Sequence, residues 1–166
     1  MKFSLYTSLI VMMIFVAGCA KDDETPGEYY IRFKANGNSV EYTYQLGLTA
    51  GFAQSGNQYV GTINGMDDAS SNFSLLLYNN APITESTYSG YDVSVEGTVG
   101  VLFIYKEKES GVVFISGVTD DYDTRVTLSE ITETGVKGTF SGVVKATGHP
   151  DITISDGSFF VKKVYK

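Results

Sequence analysis

The 166-residue sequence is poor in the residues that most often carry catalysis or cross-links, with one cysteine, one histidine and no tryptophan. A single cysteine allows no internal disulfide, so the chain must fold by burying apolar surface, and its length is sufficient for that. A Ser-His or Cys-His arrangement would depend on the one histidine, and a zinc site would lack further nitrogen or sulfur ligands. These absences argue against hydrolases of the triad type and against zinc enzymes.

Basic residues are also few, because 12 Lys and Arg stand against 19 Asp and Glu, for a net charge of −7. A nucleic-acid partner needs a basic surface that displaces counterions from phosphate, and an anionic membrane attracts basic segments. The charge argues against both kinds of electrostatic partner. No glycine-rich loop opens a predicted helix, so nucleotide binding has no support, and no cofactor is expected.

The residues that are abundant indicate an ordered, strand-rich protein. Hydrophobic residues make up 43% of the chain and aromatic residues 13%, with 12 tyrosines and 18 glycines. Tyrosine is enriched in strands, and glycine is typical of tight turns. Alternation with a period of two residues recurs from Glu28 onward, whereas a helical apolar stripe never persists.

The amino end carries the most specific pattern. Lys2 precedes a short apolar run at residues 9–17, and residues 16–19 read Val-Ala-Gly-Cys. The run has roughly half of the about 20 apolar residues that cross a bilayer, which favours a signal peptide over a transmembrane anchor. The tetrapeptide resembles a lipobox, the site of the lipoprotein signal peptidase, which implies diacylglyceryl transfer to Cys19. Residues 1–18 are then a signal peptide, 19–27 a lipidated tether and 28–166 the folded domain.

The residues after that cysteine bear on its destination. Lys21, Asp22, Asp23 and Glu24 follow it directly. This arrangement resembles the export tag of surface lipoproteins of the Bacteroidota type, and the resemblance implies an outer-membrane protein exposed at the cell surface. The alternative is a solvated charged tether that holds the domain clear of a membrane, with the protein on the periplasmic face.

Four hairpins are predicted in the domain. The clearest surrounds Asn36-Gly37, a dipeptide typical of two-residue hairpin turns. Its apolar faces are Tyr29, Ile31 and Phe33 on one strand and Val40, Tyr42, Tyr44 and Leu46 on the other. The other pairs are residues 59–63 with 73–78, 99–105 with 112–118, and 126–128 with 136–144. A final strand runs through residues 152–161, with a bulge expected at Asp156-Gly157.

These elements predict an all-β fold, an antiparallel β-sandwich of about eight to ten strands, with a β-barrel as the alternative. Residues 99–105 are apolar at both odd and even positions, which is typical of a strand covered on both faces. The glycines of residues 136–144 alternate with large residues and are expected to allow close approach of another layer. Residues 126–161 also resemble small uncharacterised β-domain lipoproteins of the same bacterial group, a resemblance that implies the fold and no activity.

The candidates for chemistry are sparse. His149 lies in Gly-His-Pro-Asp, which reads as a turn rather than a catalytic site. A glycosidase would need two carboxylates facing across a cleft, and no pair stands out among the acids. Asp120, Asp121 and Asp123 form the densest acidic cluster of the domain and are the candidate calcium ligands, although acidic residues more often shape turns. The protein is predicted not to be an enzyme.

A tyrosine-rich segment is the candidate ligand site. Tyr88, Tyr91 and Asp92 lie in Tyr-Ser-Gly-Tyr-Asp, which is predicted to be a loop. Two aromatic rings and an acid could stack on a glycan or peptide and accept its hydrogen bonds, and core packing is the alternative. The function expected is a lipid-anchored surface binding module. A structural envelope protein that contacts a membrane partner and a carboxylate hydrolase remain as alternatives.

Overall fold

The computed structural model describes residues 29–67, 70–92, 97–117 and 123–164. These residues form eleven strands, and no helix long and apolar enough to cross a membrane occurs among them. The strands are β1 (Tyr30–Ala35), β2 (Asn38–Tyr42), β3 (Thr49–Ser55), β4 (Gln58–Met66), β5 (Asn72–Asn79), β6 (Thr87–Ser89), β7 (Gly100–Lys106), β8 (Val113–Ile115), β9 (Arg125–Ile131), β10 (Gly135–Val144) and β11 (Ile152–Lys163).

Strand β11 is the junction of the fold. One of its edges pairs with β10, and its other edge pairs first with β1 and then, at Lys162 and Lys163, with β3. The strands therefore divide into a layer β6-β9-β10-β11-β1-β2 and a layer β3-β4-β5-β7-β8. The prediction of an all-β fold is confirmed, and the sheet is sandwich-like and not closed into a barrel. The pairing of β11 with β3 is parallel, unlike the other strand pairings described.

Aromatic side chains join the two layers. Phe73 of β5 lies with its ring centroid 4.7 Å from that of Phe33 and 4.9 Å from that of Phe140, which belong to the opposite layer. Phe103 of β7 meets Phe140 edge to face at 5.9 Å. These buried rings form the centre of the core, and such pairs add stability beyond their burial.

The predicted turn at Asn36-Gly37 and the predicted bulge at Asp156-Gly157 are both present in the structure. Asn36 and Gly37 both have positive φ, at 48° and 84°, as a two-residue hairpin turn between twisted strands requires. Asp156 has φ 53°, and the register of β11 shifts there against both neighbouring strands. The bulge adds a residue without turning the apolar side chains of β11 to the wrong face.

The expected close approach of the two layers is seen at Gly142, where a Cβ would lie 3.1 Å from the Phe103 ring of the other layer.

The β1–β2 hairpin is shorter than its sequence pattern predicts. Strand β2 ends at Tyr42, and Tyr44 and Leu46 are 51% and 81% exposed rather than buried on its inner face. The chain turns after Tyr42, where the Gly47 N–H donates to the carbonyl oxygen of Tyr44 at 2.9 Å. The apolar alternation continues beyond the residues that have a partner strand.

Three further differences concern the second layer. Strand β3 is not predicted, because its sequence Thr-Ala-Gly-Phe-Ala-Gln-Ser shows little alternation. Strand β7 is not covered on both faces, because Leu102 and Ile104 point outward and are only partly buried. Its partner β8 has three residues, fewer than the predicted run of 112–118.

Charge is distributed unevenly between the layers. Strands β3, β4, β5 and β8 contain no charged residue, and β7 contains Lys106 alone. The other layer carries nine charged strand residues: Arg32, Lys34, Glu41, Arg125, Glu130, Lys137, Asp156, Lys162 and Lys163. The outer face of the second layer is therefore the less polar side of the sandwich.

Candidate functional site

A groove of about 510 Å³ opens at the end of the sandwich where the β1–β2 hairpin turns back. We call it the β2 groove, because all five residues of β2 line it. The rest of its lining is Ala35, Asp67, Ser71, Tyr105, Glu107, Lys108 and Glu109. Ligand sites in proteins commonly measure about 300 to 1,000 Å³, so this groove has the size of a binding site.

The lining by β2 shows which side of the strand faces the groove. Side chains of a strand alternate between its two faces. All five residues of β2 line this cavity, and among the described strands β2 pairs with β1 alone, so the other edge of the strand is the one beside the groove. The β2 groove is therefore bounded on one side by a strand edge and on the other by the β4–β5 loop and the β7–β8 turn.

Two buried tyrosines form the floor. Tyr42 and Tyr105 are 2% and 4% exposed, and the Tyr42 hydroxyl shares a 2.6 Å hydrogen bond with the Ser71 hydroxyl. Burial raises the pKa of the Tyr42 hydroxyl far above its ordinary value. Burial also raises the pKa of Tyr105, and the nearby carboxylates of Glu107 and Glu109 raise it further. Both hydroxyls stay protonated at neutral pH, so the floor is uncharged.

Asp67 organises the rim. Its carboxylate accepts hydrogen bonds from the backbone N–H of Ser71 at 3.0 Å and from Lys108 Nζ at 3.3 Å. Burial alone would raise the pKa of Asp67, but the bonds from Ser71 and Lys108 outweigh it and hold this pKa below its ordinary value. Asp67 is therefore ionised and ties the β4–β5 loop to the β7–β8 turn.

The groove carries an excess of negative charge. The carboxylates that line it are Glu41, Asp67, Glu107 and Glu109, and the single amine is Lys108. Glu41 is held by Arg32 at 2.6 Å on the outer face of the hairpin. The excess favours a ligand with positive charge.

Tyr88 lies on strand β6 and not in a loop. It is 7% exposed, its hydroxyl donates to the carbonyl oxygen of Thr84 at 3.0 Å, and it accepts the Thr84 N–H at 2.9 Å. Both hydrogen-bonding roles of the hydroxyl are filled within the fold. Tyr88 is a core residue, which corrects the prediction that it offers a stacking surface.

Tyr91 and Asp92 follow β6 but do not form an open aromatic platform with Tyr88. The Tyr91 ring stacks on Tyr78 of β5, with centroids 4.6 Å apart and an interplanar angle of 26°. Burial, followed by the proximity of Tyr91, raises the pKa of the Tyr78 hydroxyl. Asp92 is partly buried and has interactions of its own. One face of Tyr91 is thus used in packing, and the β2 groove is a better candidate than this segment.

The remaining candidate residues, as far as the structure describes them, do not come together in a binding or catalytic site. His149 lies in a turn in which its backbone N–H donates to the carbonyl oxygen of Ala146 at 3.1 Å. Its ring contacts the Phe114 ring edge to face. Asp123 is exposed, whereas Asp120 and Asp121 lie outside the described residues. Across the described ranges, no three His, Cys, Asp or Glu side chains are grouped to hold a metal ion. Cys19 and the tag Lys21, Asp22, Asp23 and Glu24 also fall outside these ranges.

The residues of the β2 groove were not predicted as a site. Their only sequence signal is the pair of turns that end β1 and β7, Asn36-Gly37 and residues 107–111. Nothing in the spacing of residues 42, 67 and 105 along the chain indicates that they meet.

Comparison with known proteins adds no assignment. No protein-family model matches the chain, no curated protein is detectably similar to it, and no solved structure matches its fold.

Proposed function

We propose that the protein is a lipid-anchored lipoprotein of the outer membrane that faces the cell surface and binds a ligand in the β2 groove without catalysis. The amino end supports the anchor, because its short apolar run leads into a lipobox-like tetrapeptide whose last residue is Cys19. Two acyl chains give stable anchoring, because each buried methylene contributes about 0.8 kcal/mol. The acidic tag that follows supports surface exposure.

The observation that carries the binding role is the composition of the β2 groove. It combines an open strand edge, a neutral tyrosine floor and a charged rim held by Asp67 and Lys108. Such convergent polar groups around a preformed cavity are typical of recognition sites. Loops and turns at the end of a sandwich commonly carry binding residues, because the strands are committed to packing.

The engagement of three of the four lining carboxylates supports binding rather than catalysis. Glu41 is paired with Arg32, Asp67 with Lys108, and Glu107 accepts a hydrogen bond from Ser110 Oγ at 2.6 Å. A general acid needs an environment that raises its pKa, whereas Asp67 has a lowered pKa. These groups shape the site and set its charge.

The proposed location at the cell surface is tested on intact cells treated with protease. We expect the domain of the native protein to be digested, because the tag directs it to the outside. Replacement of Lys21, Asp22, Asp23 and Glu24 by alanine is expected to protect it, while a periplasmic marker stays intact in both strains. Permeabilised cells serve as the control in which both forms are digested. Equal protection of both forms on intact cells would place the native protein in the periplasm.

The groove is tested by filling it. Val40→Trp places a large ring in the cavity, and Val143→Trp is the matched control on the outer face of β10, outside the lining. Full-length lipidated protein in detergent micelles is screened against glycan and peptide arrays. We expect Val40→Trp to lower the affinity for the tightest-binding probe by about tenfold or more, because central contacts dominate affinity. Val143→Trp is expected to leave this affinity unchanged. Melting curves of both variants establish that they fold.

A structural envelope role is the second candidate, favoured by the weakly polar outer face of the second layer. Val60, Leu76 and Leu102 point outward there and are partly buried. A face on which Lys106 is the single charged strand residue suits contact with another protein. Binding to a partner that survives Val40→Trp but is lost in Leu76→Lys would assign the function to this face.

A further inference from the structure

The outer edge of β2 offers unpaired backbone groups to the groove. Ala35 and Asn38 flank the two-residue turn of the hairpin, and such a closing pair exchanges hydrogen bonds. Hydrogen-bonded and non-bonded pairs alternate along the strands, so Val40 bonds to β1, whereas Ser39 and Glu41 direct their N–H and C=O groups away from it. No strand in the described parts of the chain pairs with this edge.

This edge is longer than those at the two ends of the strand order. β6 and β8 have three residues each, and β8 is also tied at Ile115 to Lys145 by two backbone hydrogen bonds. β2 has five residues, no proline and no bulge against β1. Proteins usually protect such an edge with a proline, a bulge or a covering segment, since it pairs readily with another extended chain.

We propose that β2 binds an extended basic segment of a partner protein, which adds to the sheet as a further strand inside the β2 groove. This inference rests on the proposed function and specifies its ligand class. The backbone of the segment exchanges hydrogen bonds with Ser39 and Glu41, and its alternate side chains point toward the groove floor and toward the outer face.

Charge decides which segment fits. A strand added to β2 lies between that edge and the β7–β8 turn, where Glu107 and Glu109 stand against Lys108 alone. Lysine or arginine side chains on the groove side of the segment meet this excess of carboxylates, and acidic side chains are repelled. The uncharged Tyr105 floor accommodates the apolar stems of these side chains.

The test uses a fluorescent octapeptide of alternating valine and lysine and the full-length lipidated protein in detergent micelles. We expect it to bind at least about tenfold more tightly than the valine-glutamate octapeptide, because like charges oppose the latter. N-methylation of alternate residues along one edge of the lysine peptide is expected to cost about tenfold or more, since the hydrogen bonds of strand addition are lost.

A matched pair of variants tests the protein side. Ser39→Pro removes an outward N–H without removing a hydrogen bond to β1, and Ser39→Ala keeps that N–H while it removes the hydroxyl. We expect Ser39→Pro to bind the peptide about tenfold more weakly than Ser39→Ala does, because the proline variant alone lacks the outward N–H. Should Ser39→Pro fail to fold, hydrogen exchange on the native protein decides the matter, because the amides of Ser39 and Glu41 must become protected when the peptide binds.

The outcomes separate this inference from the proposed function. Peptide binding that Val40→Trp abolishes, but that neither N-methylation nor Ser39→Pro weakens, leaves the groove as a site and overturns strand addition. A self-association of the protein that Ser39→Pro abolishes assigns the edge to a second copy and also overturns the proposal. If no probe of any class responds to Val40→Trp, the proposed function fails with it.

Discussion

Phe73→Ala is expected to lower the free energy of unfolding by about 4 kcal/mol, the range found for large aromatic truncations in cores. Phe73 is fully buried and contacts rings of both layers, among them Phe33 and Phe140 at 4.7 and 4.9 Å. Its removal leaves a cavity at the point where the layers meet, and close-packed neighbours refill it only in part. Urea denaturation followed by far-UV circular dichroism measures the change.

The control for this prediction is Phe160→Ala. Phe160 lies on the outer face of β11, is partly buried, and contacts Tyr29 and the amine of Lys137. Its truncation is expected to cost about 1 kcal/mol, because the site stays open to water and leaves no closed cavity. Equal destabilisation by both substitutions would contradict the placement of Phe73 at the centre of the core.

Under the proposed lipid anchor, Cys19→Ser is expected to abolish lipidation and signal-peptide cleavage, and with them retention by the membrane. The thioether to the diacylglyceryl group needs the cysteine thiol, and the chain has no second cysteine to replace it. Loss of the two proposed acyl chains removes the methylene burial on which the proposed anchoring depends. Labelled fatty acid incorporation, the size of the product and flotation of membranes report the three effects.

Gly18→Ala is the matched control, because it keeps a small residue beside the cleavage site and is expected to be processed normally. A Cys19→Ser protein that still carries labelled lipid and has the mature size would contradict the assignment of the amino end.

The hairpins were predictable where local chemistry is sufficient. Asn36-Gly37 specifies a two-residue turn through its tolerance of positive φ, and the alternation on either side of it specifies which faces are buried. Asp156-Gly157 predicts the bulge of β11 for the same reason. Both signals lie within a few residues and need no distant partner.

The ends of strands and the candidate site were not predictable in the same way. Tyr44 and Leu46 continue the apolar alternation of β2 but have no partner strand beside them, so they are exposed. The sequence around Tyr88 is typical of a loop, yet Tyr88 lies on a strand that pairs with β9, and the backbone of Thr84 forms hydrogen bonds with its hydroxyl. In each case the presence or absence of a partner strand from a distant part of the chain decides whether the side chain is buried.

By itself the sequence determined the strand-rich class and the turns, because each depends on the conformational preferences or spacing of neighbouring residues. It also carries the lipobox-like pattern on which the proposed anchor rests. Only the tertiary structure decided that β11 pairs with both β1 and β3, and that Tyr42, Asp67 and Tyr105 surround one groove. Burial, cavities and open strand edges arise from contacts between segments that are distant along the chain. Their energies depend on the whole packed arrangement, which no local pattern encodes.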